Sequence, residues 1–175
     1  MRLVITIAAA LVALPVAVGL YFTSRTARDP RQADFAAGRI PDPLPDGPYR
    51  GSVPGYESLA QAWKGKRFVM AAASGVNLVR AGDSLKEDFP FRTYVAKALD
   101  GSDREVFRVD YDVPTNPGWL RVCADELVEV APGRLLGKSY IRLLPDRPFA
   151  MLFFELAEGE PGAAAGASGG IAAAG

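Results

Sequence analysis

The stretch "EVFRVDYD", residues 105–112, alternates apolar and charged side chains over the length of one strand. Successive side chains of a β-strand point to opposite faces of a sheet. The pattern therefore predicts a strand with one apolar face and one charged face. The apolar face carries Phe107, Val109 and Tyr111, and the charged face carries Arg108, Asp110 and Asp112.

The charged faces of such strands allow two interpretations. In the first, they point to solvent. In the second, they line the lumen of a barrel as a satisfied ionic network in which Asp110, Arg142 and Glu155 would pair. The stretch "RLLGKSYIRLL", residues 134–144, repeats the alternation and places Lys138, Tyr140 and Arg142 on one face.

Strand patterns dominate the middle of the chain, separated by the turn sequences "LDGSDR", "VPTNPG", "APGR" and "LPDRP". Residues 56–63 are the only good helical candidate there. The sequence predicts a mainly β fold, a small antiparallel up-and-down barrel or curved meander sheet, because successive strands must close or stack to hide their edges. The predicted strands are residues 66–73, 75–81, 91–99, 105–112, 119–131, 134–144 and 149–157.

An uncharged apolar run, residues 3–22, begins the chain, and its length matches the roughly 20 residues that span a bilayer as a helix. It predicts a transmembrane anchor or a signal peptide over residues 1–23. The arginines that follow the run favour a cytoplasmic domain, whereas a signal-like N-terminus favours export. We expect a single-pass membrane protein with its domain on the extracytoplasmic side.

Composition divides the rest of the chain into three parts. Residues 24–47 are polar and proline-rich, which is typical of a tether. Residues 48–158 form the predicted lipocalin-like β domain, large enough for one core. Residues 159–175 are an Ala/Gly tail that we expect to be disordered.

Several function classes are excluded by the residues that are missing. The formal net charge is zero, so the chain lacks the excess of basic residues that is typical of nucleic-acid binders. The absence of histidine excludes Ser-His-Asp and Cys-His catalysis and histidine-ligated zinc or haem. Cys123 is the single cysteine and reads as a small buried apolar residue. No cofactor is predicted.

Asp110 and Asp112 allow three interpretations. They end a strand and bond the backbone of the following turn, they polarise a ligand, or they bind a metal ion. Trp63 in "AWKGKRF", residues 62–68, is either a plug of the core or the floor of a pocket.

Two stretches carry a resemblance to known domains. "AWKGKRF" at the start and residues 125–158 at the end, with Leu136-Gly137 and Phe153-Phe154-Glu155-Leu156, resemble lipocalin-like (calycin-type) bacterial domains and, within them, GXWXG-type domains. Gln61 stands where the first glycine of that motif belongs. The resemblance implies a calycin-like barrel and an apolar ligand, and it carries over no catalytic residue.

We therefore expect a membrane-tethered barrel that binds an apolar small molecule such as a lipid. The alternatives are a non-catalytic accessory protein of the envelope that meets a protein partner, and a small barrel enzyme that relies on a carboxylate base; the expectation leans away from an enzyme. Arg121, Lys138, Tyr140 and Arg142 would meet a head group, and Trp63 and Trp119 would line the apolar part. Asn77 and Asp110 complete the predicted ligand-binding residues.

Overall fold

The computed structural model describes residues 2–144 and 146–161, and of residues 2–13, 57 and 60 it describes the backbone only. Eight antiparallel strands close into a barrel in chain order, and the last strand pairs with the first. The predicted up-and-down barrel is thus confirmed, and the open meander sheet is wrong. The strands are β1 Gly47–Ser52, β2 Trp63–Val69, β3 Ser74–Ala81, β4 Ser84–Lys97, β5 Glu105–Asp110, β6 Cys123–Ala131, β7 Arg134–Leu144 and β8 Arg147–Glu158.

In the described part of the chain, four α-helices accompany the barrel. Two precede it, and two lie in connections at one end of it. A short 3-10 helix, Met70–Ala72, connects β2 to β3. The α-helices are α1 Arg2–Ala27, α2 Arg31–Ala37, α3 Glu57–Ala62 and α4 Gly118–Arg121.

The first strand of the barrel is missing from the sequence-based prediction. β1 reads "GPYRGS", which is poor in β-branched residues and holds a proline and two glycines. It forms because both of its edges find partners: Tyr49 pairs with Lys66 of β2, and Arg50 pairs with Ala157 of β8. Closure of the barrel therefore overrides a weak local preference.

Gly65 shows how closely β1 and β2 approach. The pairing of β2 with β3 is irregular between Trp63 and Gly65, and Gly65 has a φ of +139°, a region that side chains with a Cβ rarely adopt. A Cβ at this position would overlap the carbonyl oxygen of Tyr49. The glycine of the "WKG" motif is thus required by the backbone geometry of the barrel.

Two apolar clusters lie on the two sides of the barrel wall. The inner cluster fills the lumen, and the outer cluster lies beneath α2, where Phe35 is 0% exposed. Residues 24–47, predicted as a tether, therefore include a helix that packs on the barrel. The inner cluster includes Phe68, Phe91, Phe107, Val109, Leu127 and Phe154, and the outer cluster includes Phe35, Val106, Val128, Leu136 and Phe153.

The helix α1 packs on the first residues of β8. The Phe149 ring fills the space beside Gly19, and the Ala150 amide donates a hydrogen bond of 3.0 Å to the Thr23 hydroxyl. Within the described part of the chain, no helix combines the length and the apolar character needed to cross a membrane. Of the predicted anchor, residues 1–23, residue 1 lies outside the described residues and residues 2–13 are described by their backbone only; of the predicted tail, residues 162–175 lie outside them.

The connections of an up-and-down barrel alternate between its two ends. We call the end that carries the β1–β2, β3–β4, β5–β6 and β7–β8 connections the rim. It includes α3 and α4. The opposite end carries the β2–β3, β4–β5 and β6–β7 connections.

Candidate functional site

A cluster of four polar side chains lies inside the barrel near the rim, and we call it the lumen cluster: Lys66, Asn77, Tyr111 and Asp125. The Lys66 ammonium lies 2.9 Å from the Asp125 carboxylate and 3.1 Å from the Asn77 carbonyl oxygen, to which it donates. It also donates to the Tyr111 hydroxyl. The Tyr111 hydroxyl lies 3.0 Å from Asp125 Oδ2. A lysine ammonium has three donors, and all three are used.

Strand alternation explains why these side chains point inward. Lys66 lies two residues before the lumen-filling Phe68 on β2, and Asp125 lies two residues before the equally buried Leu127 on β6. Residues two apart on a strand share a face. Tyr111 continues the inward face of Phe107 and Val109 just beyond the end of β5.

Three further groups surround the lumen cluster. The Trp63 indole N–H donates to Asn77 Oδ1 at 2.9 Å, and the Asn77 amide donates to the Phe89 carbonyl oxygen at 3.1 Å. The Ser139 hydroxyl donates to Asp125 Oδ1 at 2.7 Å. Each polar member of the cluster is therefore hydrogen-bonded, as buried polar groups normally are.

Aromatic rings complete the surroundings of the Lys66 ammonium. The centroids of the Tyr111, Phe91, Phe154 and Trp63 rings lie 5.0, 5.1, 5.4 and 5.6 Å from Nζ, within the range of cation–π attraction. Burial lowers the pKa of Lys66, and the Asp125 carboxylate opposes that effect. Burial and the same carboxylate raise the pKa of Tyr111 well above its usual range.

A lysine with a lowered pKa is a candidate base or nucleophile. Lys66 is 1% exposed, however, and its ammonium is enclosed by three acceptors and four aromatic rings. Its charge balances the charge of Asp125 inside the barrel. The arrangement is that of an internal ion pair.

The predicted pairing of Asp110 with Arg142 is present, but on the outer wall of the barrel. The Arg142 guanidinium lies 2.7 Å from Asp110 Oδ1, and the Tyr94 hydroxyl donates to Asp110 Oδ2 at 2.8 Å. Asp110 Oδ1 also accepts from the Asp112 amide at 3.0 Å, which is the strand-end role predicted for this pair. Glu155 is not part of this network; its carboxylate lies 3.8 Å from Arg134.

The pKa of Asp110 is shifted in opposite directions by burial and by hydrogen bonds. Burial raises the pKa of the carboxyl group, whereas the hydrogen bonds from Arg142, the Asp112 amide and Tyr94 lower it. The net effect is a pKa below the ordinary value. Asp110 is thus held as a carboxylate by its partners on the wall.

A second outer-wall network lies next to the Phe35 side of α2. The Glu126 carboxylate, 0% exposed, accepts from Arg108 at 2.9 Å and from the Leu99 amide at 2.6 Å. Burial nevertheless raises the pKa of Glu126. The charged face of β5 is therefore covered, so its predicted exposure to solvent is wrong at Arg108 and Asp110.

Lys138 and Tyr140 belong to the same outer side of the wall. The Lys138 ammonium donates to the Gln32 side chain at 2.9 Å, and burial lowers its pKa. Burial and the Glu126 charge raise the pKa of Tyr140 above its usual value. Lys138 therefore joins α2 to the barrel, and its ammonium lies 5.4 Å from the centroid of the Tyr140 ring.

Trp119 and Arg121 lie on α4 at the rim. Trp119 is 66% exposed, so most of its side chain lies outside the core. Its ring lies edge-on to Phe89 with centroids 6.3 Å apart. Arg121 forms an ion pair of 2.7 Å with Asp112.

The eight predicted ligand-binding residues thus fall in three places. Trp63 and Asn77 meet inside the barrel, Trp119 and Arg121 lie at the rim, and the other four lie on the outer wall. They do not form one lumen site, and their contact with any ligand stays a prediction. The outer-wall residues are Asp110, Lys138, Tyr140 and Arg142.

Sequence reasoning missed Lys66, Tyr111 and Asp125 as members of a polar cluster. The sequence contained a signal for them, because each lies two positions from an apolar residue on the same strand and therefore on the same face. A charged side chain on the apolar face of a strand needs an internal partner. That rule, applied to Lys66 and Asp125, would have paired them.

Cys123 and the carboxylates offer little further chemistry. Burial and the Asp125 charge raise the pKa of Cys123 to about 11, so its thiol is protonated at neutral pH. Among the residues that the structure describes, no three acidic or cysteine side chains are grouped to hold a metal ion. Asp110 is instead occupied by Arg142 and Tyr94.

Comparison with known proteins supports the fold described above. No family model matches the chain, and no curated protein matches it. The crystal structure of a protein from Thermomonospora curvata is similar to it with a TM-score of 0.54 and 18% sequence identity, over 86% of this chain and 97% of that one. At this identity the similarity supports the fold alone, so the resemblance to lipocalin-like domains extends to an eight-stranded antiparallel barrel and no further.

Proposed function

We propose that this chain is a non-catalytic accessory protein of the cell envelope, whose barrel is held at a membrane by the apolar N-terminal run. The observation that carries the proposal is the filled lumen: Lys66, Phe68 and Phe107 are all almost completely enclosed. Eight strands enclose a space that side chains alone can fill. A barrel of this kind would bind its partners through its outer surface.

The membrane part of the proposal rests on the sequence. Residues 3–22 are uncharged and long enough to span a bilayer. Tyr21 near the end of the run suits the headgroup level, and Arg25 and Arg28 follow it.

A carrier of an apolar small molecule is the second candidate, and one observation favours it. Trp63 is half-buried near the rim, and its ring lies edge-on to Phe154 with centroids 5.4 Å apart. A ligand entering there would meet aromatic rings first and the polar lumen cluster beneath them, a composition typical of small-molecule sites. It would have to displace side chains that now fill the lumen, which is why we rank the carrier second.

The test is a ligand search on the full chain, purified in detergent from its own host. Native mass spectrometry should show the protein without a stoichiometric small molecule. In the Trp119→Phe variant, Trp63 is the sole tryptophan, and its fluorescence should show no saturable change on titration with fatty acids or isoprenoids. The Trp63→Phe variant controls for effects of these compounds at the rim.

A stoichiometric co-purifying lipid, or a saturable response of Trp63 that is absent in Trp63→Phe, would contradict the accessory role. The carrier would then replace it. Co-purification of a defined envelope protein would support the accessory role, provided the lumen remained without ligand.

A further inference from the structure

Exposed apolar side chains of this protein are concentrated at the rim. Each of the four rim connections has at least one large exposed apolar residue in it or directly beside it. Elsewhere on the barrel, the exposed large apolar side chains among the described residues are Val69 and Val130 near the opposite end and Tyr94 and Val95 on β4, and the β4–β5 connection contains the polar run "DGSDR". The rim residues are Leu59, Leu85, Trp119, Leu143 and Leu144.

Such a distribution differs from the scattered single apolar residues of an ordinary protein surface. Clustered apolar residues mark interaction sites. Trp119 is the most prominent of them, because α4 holds it outward while its ring leans on Phe89. Exposed Arg80 and Arg147 lie beside Leu85 and Leu144, and exposed Asp83 and Asp146 lie in the same two connections, so the rim combines apolar groups with charges of both signs.

The helix α1 approaches this same end of the barrel. Following the chain backwards, Phe35 contacts Phe153, Thr23 contacts Ala150, and Gly19 contacts Phe149, each closer to the start of β8 at the rim. On the described part of α1, Leu14, Val18, Leu20 and Tyr21 are exposed. The C-terminal half of the apolar run and the apolar rim therefore lie at one end of the molecule.

We propose that the rim is a membrane-docking surface, which inserts Leu85, Trp119 and Leu144 into the interfacial zone of the bilayer that holds α1. The inference rests on the proposed tether, and it adds an orientation: the barrel sits with its rim on the lipid. A bilayer fits this surface because the apolar rim continues the apolar surface of α1. An exposed tryptophan also suits the boundary between acyl chains and headgroups.

The test places the full chain in vesicles of phosphatidylcholine and phosphatidylglycerol that carry bromine on the acyl chains. The Trp63→Phe variant leaves Trp119 as the sole reporter at the rim. The matched control carries Trp63→Phe, Trp119→Phe and Val130→Trp, which moves the reporter to an exposed position at the opposite end. Flotation of the vesicles measures attachment separately from quenching.

We expect both proteins to float with the vesicles. Trp119 should emit at shorter wavelength than the Val130→Trp reporter, and bromine should quench Trp119 several-fold more strongly. Leu144→Glu should weaken the quenching of Trp119, whereas Val69→Glu at an exposed position of the other end should not. Floating protein with equal quenching of the two reporters would overturn the docking and leave the tether intact. Failure to float would overturn both. If Trp119 is shielded from bromine and its emission wavelength shifts with protein concentration, the docking is overturned in favour of contact between copies of the chain.

Discussion

The Lys66 ammonium and the Asp125 carboxylate form an ion pair of 2.9 Å inside the barrel, with both side chains almost fully enclosed. Removal of one partner leaves the other charge buried without its counter-charge. Breaking a buried pair in this way costs far more than the pair itself contributes.

The Lys66→Met substitution should therefore lower the free energy of unfolding by about 3–5 kcal/mol. The double variant Lys66→Met, Asp125→Asn should recover part of that loss, because its amide is neutral and still accepts from Ser139. Urea unfolding followed by tryptophan fluorescence measures both. Lys86→Met is the control: its pair with Asp88 is exposed, so its removal should change the free energy of unfolding little. Equal losses for Lys66→Met and Lys86→Met would show that the internal pair has no special role.

Asp110 should make the protein sensitive to acid. Its pKa in the folded protein is lowered, so the stability it contributes is complete above the ordinary pKa of about 4 and is lost as the pH falls through the folded value. Asp110→Asn should cost about 1–3 kcal/mol at neutral pH because Arg142 loses its charged acceptor. The difference from the unchanged protein should shrink in acid. Unfolding curves at several pH values test this, with the exposed Asp103→Asn as control; a constant difference at all pH values would contradict it.

Phe35 should anchor α2 to the barrel. Its ring is fully buried in the outer cluster and lies edge-on to Phe153 with centroids 5.7 Å apart. Phe35→Ala should destabilise the protein by about 3–5 kcal/mol and speed hydrogen exchange of residues 31–37. The neighbouring Asp34→Ala, at an exposed position, should change little. Unchanged exchange in Phe35→Ala would mean that α2 does not depend on this contact.

Cys123 should react slowly with alkylating reagents. Burial raises the pKa of its thiol to about 11, and the thiolate is the reactive form. Labelling by iodoacetamide at neutral pH, read by mass spectrometry, should be much slower in the folded protein than in urea. The rate in the folded protein should keep rising with pH beyond the range in which the unfolded thiol has already titrated. Fast labelling of the folded protein at neutral pH would contradict the shielding.

The apolar run should hold the full chain in membranes. A carbonate wash of a membrane fraction should leave the full chain in the pellet, because residues 3–22 match the length of the hydrocarbon core. A chain that begins at Ser24 is the control and should be released. Full-length protein in the wash would contradict the anchor, and a product that begins near Leu20 would show cleavage of a signal peptide.

The strand alternation was sufficient to predict which residues of β5 and β7 share a face, and the structure shows that the apolar face of β5 points inward. Phe107 and Val109 lie in the lumen, and Lys138 and Arg142 lie outside it, as their parity indicates. The alternation could not predict which side chains on the outer face of the barrel wall are buried. Arg108 and Glu126 are enclosed because α2 and the wall cover them, and the sequence around Phe35 resembles a polar tether rather than a packing helix.

By itself, the sequence of this protein determined the antiparallel order of the strands, since period-two patterns and short turns leave an up-and-down arrangement as the simplest way to pair neighbours. It also determined which side chains share a face. Tertiary structure alone decided the closure through β1, the pairing of Lys66 with Asp125, and the docking of α2. Each of these depends on contacts between residues far apart in the chain, such as Tyr49 with Lys66, whose energies exceed local preferences and are invisible to spacing.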